Sequence, residues 1–333
     1  MSEKKPVKKL KRRIPKTSKG PVSSMWEQDK VIAILCSDLH LCPKPPRARR
    51  GEPNWFDAMK NPLRQLFVLS GRYRCPIICA GDVFDHWKAE PELINFAINY
   101  LPEMYAVPGQ HDLPLHSMDL IKRSAFWTMV LVGKINPLMP GKPVVAENNM
   151  VIHGFPWGSK IKPFTGKSGK LQIGVCHEYF WDSNHCFPGA PKEKESKRYR
   201  DEVQGYHAVA FGDNHKGFLT EVGGTPVLNC GGFMRRSSDE VDYEPQVGLL
   251  CKSGKIMIHK LRTEDEKFTT LEEEDNGVRK MLKAHDMTDF ISGLSELNQK
   301  SFDFVLALEM AMEEKMVTNG VRKLILEALG RDK

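Results

Sequence analysis

Several short apolar runs in this chain each stop at an aspartate or a histidine, and that punctuation limits the folds open to it. In the first, Val-Ile-Ala-Ile-Leu at 31–35 runs into Cys-Ser-Asp-Leu-His at 36–40. A short apolar run ending abruptly in polar side chains suits a strand buried on both faces of an α/β sheet. On an extended backbone Asp38 and His40, two residues apart, point the same way. Such sheets build their sites at the carboxyl ends of their strands. A carboxylate beside an imidazole suits a metal ion, although the pair alone equally suits a capping Asp near a surface His.

The pattern recurs. A run at 76–80 leads to Gly81-Asp82-Val83-Phe84-Asp85-His86. The 44 residues from Asp38 to Asp82 leave room for a strand–helix–strand crossover. Asp82 has two oxygens for two cations and is a candidate bridging ligand, with Asp85 and His86 as supporting groups. A third run, 103–107, reaches Pro-Gly and then Gln110, His111 and Asp112. Strands at 171–176 and 208–211 end at His177 and at Gly212-Asp213-Asn214-His215. His153 follows the run 150–152 without a polar companion and reads as structural. Helices are expected at 54–70 and 93–101, a helix or helix–strand pair at 121–132, a strand at 225–229, and a closing hairpin over 247–261 that turns at 252–255.

Charge is unevenly placed. The chain of 333 residues is +7 overall. Residues 1–20 hold nine Lys/Arg against Glu3, so this segment alone is +8 and the remainder is −1. Such a Pro- and Lys-rich tail cannot bury a core and is expected to be disordered over 1–28. It reads either as a solubilising tail or as an electrostatic arm for nucleic acid. The loop after the first strand carries Lys44, Arg47, Arg49 and Arg50. Four cations beside a metal centre are better explained by a polyanionic substrate than by solvation alone. Lys160, Lys162, Lys167 and Lys170 could add to a basic rim. Gly231-Gly232 followed by Arg235-Arg236 suits backbone and guanidinium contacts to phosphate. The polar stretch with Lys192, Lys194, Lys197, Arg198 and Arg200 reads equally well as a solvated loop.

No apolar run is long enough to span a bilayer, so no membrane contact is expected, and the basic N-terminus is unlike a signal peptide. Eight cysteines without a C-x-x-C pair argue against a zinc ribbon and read as reduced, buried thiols in a cytoplasmic protein. After the acidic stretch 264–275, amphipathic helical segments are expected at 288–297, 301–316 and 321–329. This appendage, 263–333, either packs on the catalytic body or docks a partner.

The ordered set Asp38/His40, Asp82, Gln110/His111, His177 and Asp213/His215 resembles the calcineurin-like metallophosphoesterases, whose motifs run D-x-H, G-D, G-N-H-D, H, G-H-x-H. The resemblance covers 31 to about 260 and implies an α/β fold, the four-layered α/β/β/α metallophosphoesterase sandwich, over 29–262. It implies that Asp38, His40 and His215 hold one metal, that His177, Asp213 and Gln110 hold the other, and that Asp82 bridges them. His111 would contact the scissile phosphate and help the leaving oxygen, with Asp112 orienting it. Paired ions would activate a hydroxide for in-line attack. Two positions depart from the pattern: Gln110 stands for the family's Asn, and Asp213 for the first His of G-H-x-H. The second set is then mostly oxygen, which favours Mn²⁺, or Mg²⁺, over zinc.

Within the superfamily the chain looks most like the SbcD-type DNA repair and recombination nucleases of bacteria and phages. The pointers are Gly81-Asp82-Val83-Phe84-Asp85, Pro108-Gly109, and Gly231-Gly232 with Arg235-Arg236. That resemblance implies a DNA exo- or endonuclease with Arg47, Arg49, Arg50, Arg235 and Arg236 contacting DNA. It also implies an SbcC-like ATPase partner and a homodimer. The alternatives are a small-molecule or nucleotide phosphoesterase and a non-catalytic DNA-binding subunit.

Overall fold

The computed structural model describes residues 30–187 and 189–269. The basic tail and the helical segments expected beyond 269 lie outside the described residues.

Four strands, β1 (Val31–Cys36), β2 (Ile77–Cys79), β3 (Met104–Ala106) and β4 (Ile135–Pro137), run parallel side by side. A second sheet holds β5 (Val144–Ala146), β6 (Met150–Phe155), β7 (Leu171–His177), β8 (Ala208–Gly212), β9 (Phe218–Val222) and β10 (Thr225–Asn229). Its spatial order is β5-β6-β7-β8-β10-β9, with β6, β7, β8 and β10 parallel. The chain then returns to the first sheet. There β11 (Gln246–Cys251) lies antiparallel to β1, and β12 (Ile256–Lys260) closes the edge, so each sheet has six strands.

Alternation along β1 shows how two layers share one strand. Ile34 and Cys36 face one apolar cluster, whereas Ile32, Ala33 and Leu35 face another. The break in phase at Ile32 and Ala33 coincides with a register shift between Val31 and Ala33 against β11, as a β-bulge requires. The first cluster packs the sheet on helices α1 (Trp55–Tyr73), α2 (Pro91–Tyr100) and α3 (Ala125–Leu131). The second fills the space between the sheets, where Leu35 and Ile78 meet Val175, Ala210 and Leu228. The third covers the far face of the second sheet with Phe180, Tyr199 and Tyr206 against Val209, Phe211 and Val227. Among the described residues this fourth layer is loops and 3-10 turns at Lys192–Lys194 and Ser196–Tyr199. The described residues form a mixed α/β sandwich of two six-stranded sheets.

Helix α1 begins where Asn54 caps it, its side-chain oxygen accepting from the Phe56 and Asp57 amides. It ends at Arg74, whose φ of 49° is left-handed. The helix expected over 54–70 stops three residues short of Tyr73, because Gly71 is carried inside the helix rather than ending it. Residues 121–132 resolve into a 3-10 turn, Met118–Arg123, and α3, with Ser124 capping α3. Strands β4, β5 and β9 lie outside the sequence expectations. All eight cysteines are free thiols, and all but Cys186 are buried. No helix among the described residues is long and apolar enough to cross a membrane.

Candidate metal centre

The site lies where loops leave the carboxyl ends of β1, β2 and β3 in one sheet and β7 and β8 in the other. The expectation that Asp38 and His40 sit on extended backbone is corrected. Their φ values are 53° and 46°, and those of Asp82 and Asp213 are 51° and 81°. Left-handed backbone at non-glycine residues costs about 1–3 kcal/mol each and persists only where the surroundings enforce it. Here parallel backbone bonds zip the two loops together: Asp38 N to Gly81 O, 2.9 Å, His40 N to Asp82 O, 3.0 Å, and Leu41 N to Val83 O, 3.0 Å. Gly109 allows closer approach still, since a Cβ there would overlap the Asp82 carboxylate.

Three sets of potential ligand atoms gather within 4.8 Å: Asp38, His40 and His215; Asp38, Asp82 and His177; and His40, Asp85 and His111. In the first, His40 Nε2 and His215 Nε2 are 3.1 Å apart, with Asp38 Oδ1 at 3.7 and 3.8 Å. The other ring nitrogens face carboxylates, His40 Nδ1 toward Asp85 at 3.3 Å and His215 Nδ1 toward Glu240 at 3.9 Å. With both Nδ1 atoms turned toward carboxylates, the two Nε2 atoms face the same space beside Asp38, where a cation would take both lone pairs. In the second set, His177 Nδ1–H donates to Ala80 O at 2.5 Å, leaving the Nε2 lone pair 3.3 Å from Asp82 Oδ2.

Four buried atoms bear on whether these residues fit a metal. His40 Nδ1, Asp82 Oδ2, His177 Nε2 and Gln110 Oε1 have no hydrogen-bond partner. Orphaned buried polar atoms are costly; His40 Nδ1 faces the Asp85 carboxylate, and the other three are ligand-type atoms held at the strand ends. The charge balance agrees. Burial alone would lower the His177 pKa, but Asp82, then Asp38 and Asp213, raise it well above the usual histidine value. Burial works against the charge on Asp82 too, yet His177 and His40 hold it low. A proton shared by buried acids and imidazoles occupies a position that suits a divalent cation. The donor set fits.

Gln110 and Asp213 sit differently from the others. Gln110 Nε2 donates to Asp213 Oδ1 at 2.7 Å, and the Asp213 amide contacts both Asp38 oxygens at 3.2 Å. Asp213 joins none of the three tight groups. Burial, opposed by His177, raises the Asp213 pKa.

His111 is exposed, and its Nδ1–H donates to the Asp85 carbonyl at 2.7 Å. That bond, rather than Asp112, orients the ring. Asp112 is fully buried and accepts from the amides of Val83, Phe84 and Gly109 at 3.2, 3.0 and 3.0 Å. It braces the β2 and β3 loops and touches no reacting position. Burial, with the nearby Asp82 charge, pushes its pKa up to about 7.

The five arginines divide. Arg47 and Arg50 are exposed. Arg49 is corrected as a DNA contact: it is buried and ion-paired to Glu52 and Glu266, and it donates to Arg235 O at 2.7 Å. Arg235 is likewise turned inward, to Glu266 at 2.6 Å and to the carbonyls of Val241 and Thr263. Arg236 reaches Asp85 at 2.7 Å, so the run Arg236–Asp85–His40 fixes the His40 ring. Asp85 thus supports a ligand, as its place after Asp82 suggests, whereas His86 contacts the backbone of Lys88. His153 bonds to Gln172 Oε1 at 2.8 Å, in keeping with a structural role. Sequence reasoning misses Glu240 and half-buried Tyr243, whose enclosed hydroxyl lies beside Gly231. The capping box Ser237–Glu240 is the available signal for Glu240; none marks Tyr243.

A model of the calcineurin-like phosphoesterase superfamily domain matches residues 32–245. No curated protein matches the chain. Solved structures resemble it distantly. The protein TT1561 of Thermus thermophilus is 11% identical with a TM-score of 0.41, over 69% of this chain and 98% of that one. A structure described as a novel archaeal phosphodiesterase is 13% identical with a TM-score of 0.35, over 69% and 99%. The NAD nucleotidase of Haemophilus influenzae is 14% identical with a TM-score of 0.37, over 76% and 56%. No substrate follows from likenesses this distant. The motif order and the matched 32–245 agree, and the chain belongs to the calcineurin-like phosphoesterase superfamily.

Proposed function

We propose that this metallophosphoesterase is a two-metal DNA phosphodiesterase of the SbcD type. The observation that carries the reading is the gathering of ligand atoms from Asp38, His40 and His215 and from Asp38, Asp82 and His177, each set within 4.8 Å, with Asp82 Oδ2 and His177 Nε2 buried and unpartnered. Asp38, His40 and His215 would hold one divalent ion, His177, Asp213 and Gln110 the second, and Asp82 both. Bound ions of this kind neutralise phosphate oxygens and acidify water. The oxygen-rich second set favours Mn²⁺, with Mg²⁺ next. With its Nδ1 tied to Asp85 O, His111 keeps Nε2 for the phosphate and, when protonated, for the leaving oxygen.

DNA as substrate is supported by the nine cations among the first 20 residues and by exposed Arg47 and Arg50 on the loop that follows β1. An SbcC-like ATPase subunit, a homodimer and a cytoplasmic location belong to the same proposal. The second reading, a small-ester or nucleotide phosphoesterase, is favoured by one observation: Arg49 and Arg235 are consumed internally, which thins the cationic rim.

The test is hydrolysis of end-labelled DNA and of bis(p-nitrophenyl) phosphate with Mn²⁺, for the wild type and His111→Ala. Degradation of DNA that falls about 10²–10⁴-fold in the variant is expected. Turnover of the small diester alone would replace the DNA reading with the second one. Intact DNA binding without any turnover would leave a non-catalytic subunit.

A further inference from the structure

A cleft of about 410 Å³ opens at the β5–β6 edge of the second sheet, within the size range of small-ligand pockets. None of the seven grouped ligand positions lines it. One wall is aromatic, with Phe155, Phe164 and Tyr206; the rim carries Lys142, Lys160 and Lys162. All three lysines are exposed, and no Asp or Glu lines the cleft among the described residues. Lys160 also borders a neighbouring cleft that holds Glu178, Glu193 and Glu202, so Lys142 and Lys162 carry most of the uncompensated charge.

The wall is held by specific bonds. Tyr206 Oη donates to Lys162 O at 2.8 Å, and the Phe164 amide donates to Gln204 O at 2.9 Å. Gly205, at φ 85°, packs so closely on Phe164 O that no side chain fits there. The rings of Phe164 and Tyr206 each contact the His153 ring, at 5.4 and 5.5 Å, and Gln172 anchors that histidine. Lys162 and Phe164 are therefore presented by a fixed backbone.

The segment beside the cleft is also tied to the loop that carries Gln110. The Trp157 amide donates to Pro108 O at 3.1 Å, two residues before Gln110, and the Trp157 ring lies 5.4 Å from that of His116. Ser159, two residues beyond Trp157, lines the cleft, a reach of at most about 7 Å along the chain.

We propose that the cleft binds one nucleotide of a single DNA strand running out from the metal centre. Its base lies on the wall of Phe155, Phe164 and Tyr206, and its phosphate lies against Lys142 and Lys162. Flat apolar rings beside ammonium groups match the two halves of a nucleotide, and stacking on them is indifferent to sequence. The inference rests on the DNA reading above only for the source of the nucleotide; a free mononucleotide offers the same chemistry.

The experiment uses the full chain in chelator, where nothing is cleaved, and fluorescein-labelled oligothymidylate followed by anisotropy, with dTMP as competitor. Lys142→Glu/Lys162→Glu is expected to weaken the oligonucleotide at least tenfold and to lower the slope of log affinity against log salt by about 1.4. Phe164→Leu keeps apolar packing but removes the ring face, and is expected to weaken binding about tenfold at every salt concentration. Hydrolysis of bis(p-nitrophenyl) phosphate with Mn²⁺ is expected to stay at the wild-type rate in both. Oligonucleotide affinity unchanged in both variants overturns the cleft, even if the wild type degrades DNA. Binding of dTMP but not of the oligonucleotide, lost in the variants, supports the cleft and sinks the DNA reading. Binding of neither ligand by the wild type overturns the cleft outright.

Discussion

Asp112 is a carboxylate whose work is done by three backbone amides rather than by chemistry. Replacing it with Asn turns one acceptor into a donor facing those amides. The expected loss is about 1–3 kcal/mol of stability, read as a lowered melting temperature, with the small-diester rate falling only as far as the loops shift. A mutant that melts normally but is catalytically dead would restore Asp112 to the reaction. Gly109→Ala probes the same joint from the other side. Its methyl would overlap Asp82, so Mn²⁺ affinity by calorimetry is expected to drop about 10–100-fold, as when ligand supports are lost. The cysteines give a third measurement. Seven of the eight thiols are buried, and burial pushes Cys75 up to about 11. A neutral-pH thiol reagent should therefore titrate one thiol, Cys186, in the native chain and eight in guanidinium. The identities of Asp38, Asp82, His177 and His215 were readable because each ends an apolar run. The role of Asp112 was not, because sequence adjacency to His111 does not say which way a carboxylate turns.

At the scale of elements, the segment 263–269 shows what spacing alone conceals. Its sequence places it at the start of the appendage, yet it folds back onto the loop after β1. The Thr269 amide donates to Ala48 O at 2.8 Å, and Phe268 lies 5.3 Å from the Arg49 guanidinium and 5.0 Å from that of Arg235. Glu266 pairs with both arginines. Removing one partner of a buried ionic network costs about 3–5 kcal/mol, because the remaining charge is stranded. Arg49→Met is therefore expected to lower the melting temperature strongly and to expose 263–269 to limited proteolysis, while Arg50→Met does neither. Equal behaviour of the two variants would mean that the network adds nothing. The long strands β1, β7, β8 and β10 were legible from apolar runs alone. Strands β4 and β5 are three residues each, as are β2 and β3, but neither leads to an aspartate or histidine that would mark its end. The left-handed turns at Asp38, His40, Asp82 and Asp213 were invisible because the residues that adopt them are not themselves glycines.

Across the whole molecule, the candidate ligands come from both sheets. Asp38, His40, Asp82 and Gln110 follow strands of the first, whereas His177, Asp213 and His215 close strands of the second. An ion held between them binds the folded sandwich and not the unfolded chain, so it must raise stability by mass action. At a free concentration 100 times its dissociation constant, each ion is expected to contribute about 2.7 kcal/mol. For a domain of this size that is roughly 5–10 °C in melting temperature. Scanning calorimetry with Mn²⁺, with Mg²⁺, with Zn²⁺ and with chelator checks this. The oxygen-rich second set predicts that Mn²⁺ gives the largest shift and that chelator reverses it fully. Because the ligands span both sheets, the shifted transition should remain single: an ion seated on one sheet alone would stabilise that sheet and split the melt in two. A melting curve indifferent to every divalent ion would mean that the buried, unpartnered atoms of Asp82, His177 and Gln110 are not a metal site, and the two-metal reading would fall with it.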